Sequence, residues 1–93
     1  MNETTALQQA LQLAGSQAEL ARKCGAKTRQ AHVWKWLRSG RVSGLGALLV
    51  AKAVGYEVLP HQLRPDLYPN PWDGLPPAVA MKKFRGVILP VAA

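Results

Sequence analysis

Ninety-three residues set the scale of one small domain, too short to enclose a large active site. Apolar residues make up 48% of the chain and charged ones 18%, the balance of a globular protein, and the formal net charge is +7. The single cysteine, Cys24, excludes an internal disulfide and a cysteine-based zinc site, and no apolar run approaches the roughly 20 residues of a membrane span.

Leu7, Ala10, Leu11 and Ala14 recur at helical spacing, which predicts an amphipathic helix over about Thr5 to Ala14, closed by Gly15. Ser16-Gln17-Ala18-Glu19 reads as a capping box, so a second helix starts at Gln17. Its small apolar face is Ala18, Leu20, Ala21 and Cys24, and Gly25 is placed for a sharp turn. A third helix begins at Thr28 or Arg29, with Thr28 the better cap, turns Val33, Trp36 and Leu37 inward and ends at Gly40. Opposite that stripe lie Gln30, Ala31, Lys35 and Arg38, with Trp34 near the boundary; this polar face is the functional candidate. Ser43 caps a fourth helix in which Leu45, Leu48 and Leu49, with Val54, are expected to face the core although Gly44 and Gly46 lower its propensity. Gly55 stops it, and a short helical turn follows from Pro60.

Five prolines between Pro65 and Pro77 predict that regular structure ends near Tyr68 and an extended linker begins. The compact domain is therefore residues 4–68, and 69–93 a linker and tail. Phe84, Val87, Ile88 and Leu89 form a candidate dimer or partner segment. A single β-strand pairing with its twin, a tail that folds on another protein and an unstructured tail all remain open at this level.

Charge is not spread evenly. Seven of the twelve bases but one of the five acids lie between Ser16 and Arg41, which puts almost the whole net charge on helices two and three. Such a concentration attracts a phosphate backbone, because each neutralised phosphate releases counterions. Paired carboxylates and glycine-rich phosphate loops are not apparent, and His32 and His61 lie far apart without clustered acids, so neither an enzyme nor a metal site is expected. The start Asn2-Glu3-Thr4-Thr5 lacks the basic and apolar blocks of a signal peptide, and a cytoplasmic protein is expected.

The spacing of Gln17, Ala21, Gly25, Val33 and Trp36 resembles the helix-turn-helix of phage repressors and Cro proteins. With Ala14-Gly15-Ser16-Gln17, Val33-Trp34-Lys35-Trp36-Leu37, Ser39-Gly40-Arg41-Val42-Ser43 and Leu63 to Pro69, the chain is similar to the YdaS-type Cro-like family over about Leu7 to Pro69. The resemblance implies an all-α, lambda-repressor-like domain of about five short helices whose third helix enters the major groove. It assigns base edges to Gln30, Ala31 and Lys35, and the chemistry agrees: Gln pairs with adenine, Lys donates to guanine, and an alanine methyl meets a thymine methyl. Gln17, Lys27, Thr28, Arg29 and His32 fall to the phosphates on one side, and Arg38 and Arg41 to those at the far end of the helix. Eight positions separate Gly25 from Val33, two more than the commonest pattern, so either the turn is longer or the third helix starts earlier. The expected function is that of a cofactor-free operator-binding regulator of the Cro and CI type from a prophage or mobile element, acting on double-stranded DNA as a homodimer. The alternatives are an antitoxin-type regulator whose tail grips a partner protein and an excisionase-like architectural factor.

Overall fold

The computed structural model describes residues 3–25 and 27–88, with side chains as far as Arg85. Its helices are α1 (Glu3–Ala14), α2 (Gln17–Cys24), α3 (Gln30–Ser39), α4 (Gly44–Ala53), α5 (Pro60–Leu63) and α6 (Pro77–Ile88). There is no strand among the described residues, so the chain is all-α, with the α2–turn–α3 unit of a helix-turn-helix. No helix among the described residues is long and apolar enough to cross a membrane.

Local chemistry sets the helix ends. Ser16 is extended, and its Oγ accepts from the Glu19 N–H at 3.1 Å, which supplies one orphan donor of α2 with a partner. The box is half-formed, however: Glu19 turns to Arg22, with Oε2 2.6 Å from Nη2, instead of reaching back. Gly25 and Gly40 both take positive φ, at 62° and 80°, where an L side chain is strained, and each returns its N–H to the preceding turn. Ser43 Oγ accepts from the Gly46 N–H at 2.9 Å and starts α4 as expected.

One core joins α1 to α5. Leu7, Leu20, Val33, Val50 and Leu63 are buried together with Val42 and Val58 from the connections, and alanines at 6, 10, 14, 21 and 47 let the helices approach closely. Two faces differ from expectation. Ala18 is exposed, and α4 is rotated: Gly46, Ala47, Val50 and Ala51 are buried, Leu48 and Leu49 are half-buried, and Leu45 is 64% exposed. Because α4 has almost no polar residue to mark its outer side, the small residues go where neighbouring helices are nearest and the bulky ones go to the periphery. Gly46 is the extreme case. A Cβ there would lie 2.8 Å from Cζ2 of Trp36, so the helix-weakening glycine makes room for that indole, which packs half-buried against the core.

The domain's end is locked by hydrogen bonds. Arg64 grips Asp66 through Nε and Nη2 at 2.9 and 2.7 Å and donates from Nη1 to the Val42 carbonyl at 2.9 Å. The bidentate contact holds the Asp66 carboxyl down at about 2. Tyr68 donates its hydroxyl to the Gly44 carbonyl at 2.9 Å, and His61 Nδ1 lies 2.8 Å from the Tyr68 carbonyl oxygen, which gives that histidine a structural role.

Beyond Tyr68 the chain departs from an extended linker. Residues 71–74 form turns, the Asn70 N–H donates to Asp73 Oδ2 at 2.8 Å, and a Cβ on Gly74 would meet Leu48 Cδ2 at 2.8 Å and Pro60 Cγ at 3.1 Å. The segment therefore lies against α4 and α5.

Of the alternatives left open for Phe84 to Leu89 the strand is corrected: the segment is helical through Ile88, whereas Leu89 and the side chains of Val87 and Ile88 lie outside the described residues. A helix satisfies its backbone within one segment, which a lone strand does not, and the run Ala78 to Lys83 favours it once Pro77 has set the first turn. Phe84 departs from helical geometry at φ −126° and ψ 29° and kinks α6, with its ring edge-on to Trp72 at a centroid distance of 6.1 Å. Among the described residues no backbone of α6 comes close to α1–α5, and the molecule measures 46 × 21 × 20 Å.

Candidate nucleic-acid interface

The connection from α2 to α3 is longer than the commonest helix-turn-helix turn, and the added length is taken up in the turn. Five positions, 25–29, lie between Cys24 and Gln30. Within them the Thr28 N–H donates to the Gly25 carbonyl at 2.8 Å, and Lys27 adopts φ 66°, a left-handed conformation rarely found outside glycine. The helix does not start early.

The N-cap is Arg29, not Thr28, and it has extended backbone angles. His32 replaces the glutamate of a usual box: its Nδ1 accepts the Arg29 N–H at 2.9 Å. An accepting Nδ1 places the ring proton on Nε2, which is left able to donate outward.

Once α3 is anchored by buried Val33, the remaining face points outward. Arg29, Gln30, Ala31, His32, Trp34, Lys35 and Arg38 are all exposed, so the three residues assigned to base edges share one surface with four of those assigned to phosphates or left at the boundary. Lys27, Arg29, Lys35 and Arg38 form no ion pair among the described residues, since Glu19 is bound to Arg22, Glu3 to Arg41 and Asp66 to Arg64. The positive charge of this face is thus uncompensated. Gln17 is the first residue of α2 and half-buried.

Two placements escaped sequence reasoning. Arg41, assigned to the far phosphates, is held by Glu3 at the start of α1, with Nε 2.8 Å from Oε2, and that carboxylate raises the guanidinium's already high pKa. The partner is 38 residues away, so no local pattern announces it. Trp34, placed at the boundary, is 48% exposed with the Arg38 guanidinium carbon 5.2 Å from its ring centre. The helical i, i+4 spacing of the two was visible; the exposure was not.

Between the start of α3 and α4 lies a cleft of about 270 Å³ with an apolar floor of Trp36, Leu45 and Leu49 and a rim of Lys27, Thr28 and His32. Among the described residues there is no group of three or more His, Cys, Asp or Glu side chains arranged to hold a metal ion. Cys24 is buried against the helix pair, and desolvation pushes its thiol up to about 11, which suits a packing residue.

Against known proteins, residues 7–72 match the family described as bacterial toxin YdaS, a span running from within α1 through α5 and the Tyr68 lock. No curated protein and no solved structure gives a significant match.

Proposed function

The chain belongs to the bacterial toxin YdaS family, and from that premise we propose that it is a sequence-specific DNA-binding regulator of the Cro and CI type that occupies an operator without a cofactor. The observation that carries this reading is the outward face of α3, which presents Gln30, Ala31, Lys35 and Arg38 with no carboxylate among the described residues bound to its bases. In this reading α3 enters the major groove and Gln30, Ala31 and Lys35 meet base edges. Gln17, Lys27, Thr28, Arg29, His32 and Arg38 bind phosphates, while Arg41 reaches one only by leaving Glu3.

One domain of this size covers limited DNA surface. Useful specificity therefore calls for a two-fold dimer on half-sites roughly 34 Å apart, one helical turn, within a prophage or similar element. Selection of bound duplexes from a random pool, with the purified protein, tests the reading. An inverted repeat of that spacing, bound more tightly than random duplex, is the expected result; equal affinity for every sequence refutes it.

A second reading is favoured by α6, whose backbone is not close to α1–α5 among the described residues and whose Met81 is 48% exposed, and by the toxin in the family's description. Here the domain still binds DNA while residues 69–93 grip a protein partner, as in toxin–antitoxin regulators. Protection of α6 from proteolysis only when a second protein is present would favour it.

A further inference from the structure

We infer that Trp34 is a positioning residue for DNA binding: its indole holds the Arg38 guanidinium in place for a phosphate, and the two side chains work as one unit. The inference rests on the DNA-binding reading above and names a residue to which that reading gives no task.

Four observations meet here. Trp34 leaves 48% of a large ring in solvent, on a helix whose core contacts are already supplied by Val33, Trp36 and Leu37. A purely structural tryptophan would be turned inward. Arg38 sits one turn further along, with its guanidinium carbon 5.2 Å from the ring centre. No other partner holds either side chain among the described residues. Finally, Gln30, Trp34 and Arg38 follow one another at i+4 along the exposed face, so the pair continues the line of the proposed base-reading residues.

The physics of the pair suits a phosphate clamp. A free arginine side chain samples many rotamers, and each contact it makes must overcome that entropy. An aromatic face removes part of the cost before DNA arrives and leaves N–H donors of the guanidinium available for phosphate oxygens. Trp34 then acts through Arg38, with no direct reading of a base.

The test measures duplex affinity across a salt series for the full chain and for Trp34→Leu, Trp34→Phe, Arg38→Ala and the double variant Trp34→Leu/Arg38→Ala. Leucine keeps apolar bulk and removes the π face; phenylalanine keeps a weaker face. Trp34→Leu is expected to lower affinity roughly 2–5-fold, the loss of an exposed cation–π contact, and to make the salt slope shallower by part of the roughly 0.9 unit lost in Arg38→Ala. Trp34→Phe should recover part of both, and Trp34→Leu should change nothing further once Arg38 is alanine. Equal losses from Trp34→Leu with and without Arg38 would overturn the inference, because Trp34 would then touch DNA or a second subunit by itself. An unchanged slope in Trp34→Leu would overturn it as well. A wild-type chain without salt-dependent duplex binding would overturn the DNA-binding reading itself, an outcome distinct from the other two.

Discussion

Replacing Gly46 by alanine sets two principles against each other. Helix propensity alone favours the change by up to about 1 kcal/mol, since alanine is the best helix former and Gly46 lies within α4. The packing opposes it. The new Cβ would stand 2.8 Å from Trp36 Cζ2 and 2.8 Å from Ser43 Oγ, against the roughly 3.5–4.0 Å of a comfortable carbon contact, so something must move by about 0.7 Å or more. The indole is rigid and half-buried, and Ser43 Oγ is committed to the N-cap bond with Gly46 itself. Overpacking of this kind costs about 1–3 kcal/mol and loss of the cap about 1 kcal/mol more. The net expectation is a loss of about 1–3 kcal/mol, or a fall in Tm of roughly 4–24 °C for a domain of this size. Thermal and urea unfolding of Gly46→Ala, Trp36→Phe and the double variant measure it, and the two changes should couple by about 1 kcal/mol because the smaller ring makes the space. A higher Tm for Gly46→Ala, or strict additivity with Trp36→Phe, would refute the account of why glycine stands there.

Three further outcomes follow from the geometry. Gln30→Ala should relax base preference at one operator position by about 1–3 kcal/mol while leaving random-duplex affinity nearly unchanged; equal loss on both sequences removes Gln30 from the base-reading set. Cys24, with its thiol raised to about 11 by burial, should resist alkylation at pH 8 in the folded protein and react readily in urea, as read by mass spectrometry. Asp66 titrates near 2 when folded against an ordinary 3.8, because of Arg64; this depressed group stabilises the fold fully above pH 4, and the contribution fades as pH falls toward 2. Asp66→Asn should therefore flatten the stability profile between pH 4 and 2, and an unaltered slope there would show that the pair does nothing for folding.

Much of this fold was legible because its boundaries are written locally. Ser16 and Ser43 cap where their hydroxyls suggest, Gly25 and Gly40 turn where positive φ is needed, and Leu7, Ala10, Ala14 and Val33 bury the faces their spacing marks. The failures share a cause too. In α4 the apolar residues surround the axis, so periodicity carries no phase, and close neighbours select Gly46 and Ala47 over Leu45. In the tail, prolines signal interruption without saying whether helix or strand resumes. At the candidate interface, residue type and spacing identified the exposed face of α3, whereas the Glu3–Arg41 pair depends on tertiary proximity. Of Thr28 and Arg29 the sequence favoured the wrong cap, because Arg29 has no accepting side chain and its N–H is met instead by His32 Nδ1, outside the usual Glu or Gln pattern.

If α3 binds DNA as proposed, Lys27 marks a place where foldability and activity pull apart. At φ 66° a glycine would relieve the turn of strain, yet the chain keeps a long cationic side chain there, at the rim of the cleft and beside the helix proposed to enter DNA. On this account Lys27→Gly gives a protein that melts later and binds duplex less tightly, so selection for stability alone would drive that position away from its task.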